Sequence, residues 1–204
     1  MERKIILIGG APTVGKSHIA RELSEKIKLP WISTDTIREQ MRELVRKEDY
    51  PALFHHLEPT SDLAVEFLSH NSVEEIVKHQ NEESLEVWKG VKAIIETDYV
   101  WKSFIVEGVA ILPELVYENY KNDSSVKAFF IIDNDEQRIR ETIFKRGLWD
   151  DADKYPDSVK EKEVEWVVAF NKYLKEEIKK YPFPVIEIKK RGSIVLESIL
   201  EMSK

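Results

Sequence analysis

Gly10-Ala11-Pro12-Thr13-Val14-Gly15-Lys16-Ser17 decides how the rest of this chain is read. The pattern G-x-x-x-x-G-K-S makes a phosphate-binding loop only where a strand precedes it and a helix follows, and both flanks have that form. Lys4-Ile5-Ile6-Leu7-Ile8 is a short apolar run of strand type, and Ile19, Leu23 and Ile27 recur at the four-residue spacing of one buried helix face. Each residue type has a task. Glycines let backbone N–H groups close around a polyphosphate, the helix adds its positive end, and Lys16 brings a charge to the β- and γ-phosphates. Ser17 is then a candidate Mg²⁺ ligand. The expected nucleotide contacts here are Gly10, Pro12, Thr13, Val14, Gly15, Lys16, Ser17 and His18.

Outward from the loop, strands and helices alternate. Pro30-Trp31-Ile32-Ser33 reads as a second strand, and Thr34-Asp35-Thr36 opens a helix in which Thr36 and Glu39 have the spacing of a capping box. Ile37, Met41, Leu44 and Val45 form its apolar side, with Arg38, Arg42 and Arg46 as a stripe beside it that Glu39 and Glu43 partly offset. Residues 48–100 exceed a simple crossover and read as a helical insertion between strands 2 and 3. One helix is expected around Leu63, Phe67 and Leu68, and a long one through Val73, Ile76, Val77, Val87, Trp88, Val91, Ile94 and Ile95. Gln80 and Ser84 interrupt the long apolar stripe, as either a solvent-exposed stretch or the polar wall of a pocket would.

Ser103-Phe104-Ile105-Val106 returns as strand and ends in Glu107-Gly108, residues 126–132 form a fourth strand ending at Asp133, and Pro184-Val185-Ile186-Glu187-Ile188 a fifth. Further helices carry Arg138, Arg140 and Arg146, then Val159, Trp166, Phe170, Leu174 and Ile178, and last Ile194, Ile199 and Leu200. The polar stretch 147–157 is a candidate lid. This alternation predicts an α/β fold of three layers, a parallel sheet covered on both faces, in a single domain over residues 1–204.

Composition sets the bounds. With 204 residues and 42% hydrophobic content the chain can bury a sizeable core, and its formal charge of −7 argues against nucleic acid or a membrane surface as partner. There is no cysteine, which excludes disulfides and thiolate metal sites. No apolar run approaches the ~18 residues of a membrane span, and the chain enters its first strand at once. A cytoplasmic protein without a signal peptide is therefore expected.

Absences narrow the function. No Asn-Lys-x-Asp guanine-reading motif occurs, since Asn171-Lys172 is followed by Tyr173-Leu174, and neither an Asp-x-x-Gly switch nor a Leu-Ser-Gly-Gly-Gln signature is found. A small-molecule kinase fits best. Three stretches then carry a resemblance: residues 9–17, Ser33-Thr34-Asp35-Thr36-Ile37-Arg38-Glu39-Gln40-Met41-Arg42, and Ile105-Val106-Glu107-Gly108-Val109-Ala110-Ile111-Leu112-Pro113. Together with Gln80 and Gly90 in the long helix, they are similar to successive motifs of the 2-phosphoglycerate kinase family, over residues 4 to about 115 and loosely beyond. The resemblance implies a P-loop kinase of the nucleoside-monophosphate-kinase type, with sheet order 2-3-1-4-5, ATP and Mg²⁺. Ala110 stands where the family's third motif usually carries His.

Phosphoryl transfer is mostly positioning and charge neutralisation, and on that basis the residues divide. Lys16 would hold the β- and γ-phosphates. Asp35 would face the acceptor hydroxyl as general base or bind Mg²⁺, or else merely cap its helix. Arg38 and Arg42 suit a phosphate or carboxylate on the acceptor, or else are a solvated helix face. Glu107 and Gly108, at a strand end, belong to the same crevice. Related kinases place a catalytic arginine where Arg146 stands, and Arg138 and Arg191 are further candidate nucleotide contacts. Asp150, Asp151 and Asp153 make the following loop acidic, which would repel ATP if it closed. Two alternatives stay open: a nucleotide-binding switch or slow ATPase acting on a protein partner, and a zeta-toxin-like or nucleoside-type kinase. The oligomeric state is not legible.

Overall fold

Five strands form one parallel sheet in the order β2-β3-β1-β4-β5, with β1 at Ile5–Gly10, β2 at Trp31–Ser33, β3 at Phe104–Gly108, β4 at Val126–Ile132 and β5 at Val185–Glu187. The computed structural model describes residues 2–54, 61–147, 152–154, 156–188 and 193–202. Strand order agrees with the expectation. Buried on both faces, β1 and β3 have no need of polar alternation, and every residue of each is buried.

The helices are α1 (Lys16–Ile27), α2 (Thr34–Leu44), α3 (Ser61–His70), α4 (Val73–Glu96), α5 (Pro113–Tyr120), α6 (Glu136–Arg146), α7 (Asp157–Ile178) and α8 (Ser193–Met202). Short 3-10 turns lie at Pro51–Phe54 and Ala152–Lys154. Helix α1 packs on α8, whereas α7 meets α3, α4, α5 and α6. A contiguous core runs from Ile5 through the insertion helices to Ile199, and a smaller cluster of Ile139, Ile143, Val164 and Val167 joins α6 to α7. Among the described residues no helix is long and apolar enough to cross a membrane.

Three expectations are corrected. Helix α2 begins directly at the end of β2, because Ser33 is its N-cap and the Asp35 backbone N–H donates to Ser33 Oγ at 3.2 Å. Thr36 therefore lies inside the helix and makes no capping box. That device occurs instead at α4, where the Glu75 N–H donates to Ser72 Oγ and the Ser72 N–H donates to Glu75 Oε2. Leu44 is 85% exposed and not part of the apolar side, since the backbone leaves helical geometry at Val45 and Leu44 closes α2 on its outer side. Gln80 and Ser84 are buried, which removes the reading of a solvent-exposed middle. Helix α5 was not foreseen: its eight residues give barely two turns of periodicity, and Pro113 at its start is the main signal.

This topology places the site. Strand β1 is where the order reverses, with β3 and β2 on one side and β4 and β5 on the other, so a crevice opens past its carboxyl end. Ser33 and Ile8 are both in register with Glu107, which puts the ends of β2, β3 and β1 at one level. Gly108 follows with φ +152°, and a Cβ there would lie 1.7 Å from Thr34 Oγ1. Gly108→Ala is expected to force β2 and α2 away from β3 and to lower the melting temperature by roughly 2–12 °C, from ~1–3 kcal/mol of strain. A thermal melt matching that of the unsubstituted protein would show that the contact carries no such constraint.

Candidate active site

The loop between β1 and α1 has the backbone its sequence requires. Thr13 (φ 67°) and Gly15 (φ 82°) sit in the left-handed region, where glycine is at ease and threonine is strained. Gly15 is also the N-cap of α1 and supplies no side-chain cap, and no acidic residue stands in the first turn. The leading N–H groups of α1 thus present a bare positive end. Lys16 is buried, and its Nζ donates to the Ala11 carbonyl at 2.7 Å. Burial lowers its pKa below the ordinary lysine value, opposed by the charges of Glu107 and Asp35 and assisted by that of Arg146. Four of the expected site residues therefore act on one another electrostatically.

Glu107 is the most deeply placed of them. It is 1% exposed, and its Oε1 has no hydrogen-bond partner. Burial raises its pKa above the usual carboxylate value, while Lys16 and hydrogen bonds from Ser17 and Ser33 pull it down. An unpaired buried carboxylate oxygen next to the loop serine is the donor set a hard, oxygen-binding cation takes. Ser17 and Glu107 thus fit Mg²⁺.

On the other side of the crevice, Ser33 rather than Asp35 caps α2, so the cap alternative for Asp35 is removed. Its side chain is 62% exposed and accepts from Arg38 Nη1 at 3.0 Å. Arg38 also donates through Nε to Glu39 Oε1 at 2.9 Å and lies 3.5 Å from Glu83 Oε1. Thr34, Asp35 and Arg38 face Gln80, Glu83 and Ser84 of α4 across a small, partly open pocket, which Val87, Val109 and Ala110 complete. The polar-wall reading of Gln80 and Ser84 is the one that matches this placement. Arg42, expected beside Arg38 as an acceptor anchor, does not line the pocket. Its guanidinium donates to the Leu53 carbonyl, to Glu39 and to the buried Glu83, tying α2 to α4. Arg46 pairs with Asp49 on the surface. Sequence reasoning missed Glu83: an acid 41 residues from its arginine carries no spacing signal, and only its place between Gln80 and Ser84 hints at it.

The other candidates are spread wider. His18 lies exposed on α1 against Glu22 and Arg21. Arg138 grips Asp133 and donates through Nη2 to the Ile188 carbonyl at 2.8 Å, holding the ends of β4 and β5 together. Its edge is thus committed to the protein. Asn171 accepts from the Asp133 N–H at 3.0 Å and fixes α7 to the end of β4. Arg146 ends α6 within electrostatic range of Lys16. Arg191 and most of the acidic stretch, including Asp150 and Asp151, lie outside the described residues.

The sheet order and loop define the class of P-loop kinase folds. In keeping with this, the chain superposes on a shikimate kinase from Bacteroides thetaiotaomicron with a TM-score of 0.52 at 12% identity, over 98% of this chain and 95% of that one. Within the class it is similar in sequence to 2-phosphoglycerate kinases. It is 30% identical to that of Methanocaldococcus jannaschii over 90% of this chain and 58% of the relative, and 29% identical to that of Thermococcus kodakarensis over 99% and 67%. The chain thus spans about three-fifths of the length of the first of these relatives. No family model matches it.

Glu107 generates a prediction in which function and stability oppose each other. Because its folded pKa is raised, the folded state holds the proton more tightly than the unfolded chain, so stability falls as pH rises from the unfolded value toward the folded one. Glu107→Gln removes that loss. The variant is expected to melt higher than the unsubstituted protein at pH 7 without ligand, with the gap closing as pH drops toward ~4. A gap independent of pH, or one of opposite sign, would rule out an ionised buried Glu107 as the cause.

Proposed function

We propose that the chain is an ATP- and Mg²⁺-dependent small-molecule kinase, acting in the cytoplasm on a hydroxyl of an acceptor that bears a phosphate or carboxylate, in the class of 2-phosphoglycerate. The observation that carries this reading is the pocket wall: a carboxylate at Asp35 and a guanidinium at Arg38 border a small cavity, and Asp35 is within electrostatic range of the buried Lys16. The relatives' name points the same way.

In this reading the loop amides and Lys16 hold the β- and γ-phosphates, and Arg138 offers its face to the base. Mg²⁺, held by Ser17 and Glu107 with Asp35 nearby, supplies charge neutralisation at the phosphate oxygens when bound. Asp35 takes the acceptor's hydroxyl proton while that oxygen bonds to the γ-phosphorus. The bond from this phosphorus to the β–γ bridging oxygen breaks, and ADP leaves. Arg146, near Lys16, balances charge on the group in transit. Arg38 orients the acceptor, and the insertion 48–100 forms the acceptor-side wall through α4. The stretch 147–157 is kept in this reading as a candidate lid.

Two substitutions test this. Lys16→Ala is expected to abolish transfer and sharply weaken ATP binding while the circular dichroism spectrum persists, since the lysine is a buried charge and not a packing residue. Undiminished ATP affinity and turnover would refute the loop's role. Asp35→Asn keeps the side-chain shape and, with Ser33 as cap, leaves the helix start intact. It should lower acceptor-dependent ADP formation by roughly a hundredfold or more with ATP affinity nearly unchanged. Normal turnover in that variant would remove Asp35 as the base.

A further inference from the structure

One polar side chain on the α4 wall of the pocket is not used by the protein itself. Gln80, Glu83, Ser84 and Val87 share a helix face at i, i+3, i+4 and i+7, and all four are buried. Two of the polar three are committed. Ser84 Oγ donates to the Gln80 backbone carbonyl at 2.7 Å, and Glu83 accepts from Arg42 at 2.9 Å. The Gln80 carboxamide, 5% exposed, makes no hydrogen bond among the described residues. It stands one turn after Ile76 in a row that continues to Val87 and Val91, where an apolar side chain would suit the core better. A buried amide without a partner lowers stability, so the position is explained by a partner that arrives from outside.

Gly90 sets how near this face stands to the opposite wall. A Cβ there would lie 2.6 Å from Ile37 Cγ2 and 2.9 Å from Met41 Sδ, so any side chain would push α4 from α2 or displace Ile37. The close approach brings Gln80 up to Thr34, Asp35 and Arg38, which line the same pocket. On the α2 side, Arg38 donates through Nη1 to Asp35 and through Nε to Glu39, while Nη2 makes no hydrogen bond among the described residues. Each helix thus leaves an N–H donor unused at one pocket. Facing donors of this kind suit an oxyanion, carboxylate or phosphate, whose oxygens accept several hydrogen bonds at once. We infer, on the strength of the kinase reading above, that Gln80 binds the phosphoryl acceptor: its carboxamide N–H and Arg38 Nη2 grip the acceptor's anionic group from opposite walls and turn its hydroxyl toward Asp35. A carboxamide suits this place better than a carboxylate, because Asp35 and Glu83 already line the pocket and a further acid would repel the anion.

The test measures ADP formation with Mg–ATP and 2-phosphoglycerate. Gln80→Met keeps the length and removes the amide. It is expected to raise the acceptor KM about tenfold, the scale of a hydrogen bond lost to a charged group, and to leave the ATP KM within about twofold. Gln80→Glu, which keeps the shape, should raise the acceptor KM further and serves if Gln80→Met does not fold. Without ligands, Gln80→Met should melt at or above the temperature of the unsubstituted chain, because no hydrogen bond within the protein is lost. Combined with Arg38→Lys, it should change the acceptor KM by a factor at least about threefold away from the product of the two single changes, since both side chains grip one group. Glycerate carries the carboxylate alone and glycerol 2-phosphate the phosphate alone, so a raised KM for one or the other supports the assignment and tells which group is held. A lower melting temperature with the ATP and acceptor KM changed alike is what a merely structural Gln80 gives, and it overturns the inference. An unchanged acceptor KM overturns it too, and either result leaves the kinase reading in place. If none of the three acceptors raises ADP formation by the unsubstituted chain, the kinase reading falls and the role of Gln80 falls with it.

Discussion

Two opposite charges buried at one end of a parallel sheet are the constraint on which the rest of this structure depends. Lys16 and Glu107 both lie out of water, and the environment pushes each toward its neutral form. Removing an ion from water still costs several kcal/mol after relaxation, and mutual attraction recovers only part of it. A sheet end built for stability alone would be apolar there. The surrounding elements instead hold the charges apart from water: β1 and β3 fix their backbones in register, Ser17 and Ser33 hydrogen-bond the carboxylate, and the Ala11 carbonyl accepts from the lysine. What is left unmet is one oxygen of Glu107 and the bare amino end of α1. One attracts a cation and the other an anion, and a metal-bound polyphosphate carries both.

The acceptor side is stabilised by a different device. Helices α2 and α4 are far apart in sequence, and Glu83 joins them by accepting from Arg42 at 2.9 Å while lying close to Arg38. Breaking such a buried pair costs about 3–5 kcal/mol, because the partner is left as an unpaired ion. The same carboxylate that fastens the insertion to the sheet domain also lines the pocket. The arginines that looked like an anion trap in the sequence are thus each paired with carboxylates where they stand.

Much of the architecture was legible beforehand. The loop between an apolar run and an amphipathic helix identified β1, α1 and the crevice, because every local preference there agrees with the fold. Strand β4 could be read to the residue, since a nearly continuous apolar run, broken by Lys127, ends at an acid. Local signals failed where two devices compete for the same residues. Thr36 and Glu39 have capping-box spacing, but Ser33 lies at the strand end and captures the cap first. Leu44 has helical periodicity with Ile37 and Met41, yet the chain turns at Val45 and leaves it in solvent. For the site, the loop residues, Asp35 and Arg38 were foreseeable from spacing. The pairing of Arg42 with Glu83 was not, because a tertiary contact across 41 residues has no local period.

That difference explains why the nucleotide half of such a site is easier to read than the acceptor half. Polyphosphate is held by backbone amides, which one continuous stretch of chain presents, so the requirement is written as a contiguous motif with left-handed positions at Thr13 and Gly15. The acceptor is held by side chains from α2, α4 and the turn after β3, which meet only after the sheet has formed. A motif there specifies its members one at a time, without their sum. Arg38 alone predicts an anion, whereas its pairing with Asp35, Glu39 and Glu83 becomes visible only with the fold. Where a crossover helix inserted between two strands supplies half of a pocket, its buried acid holds the arginines that draw the eye.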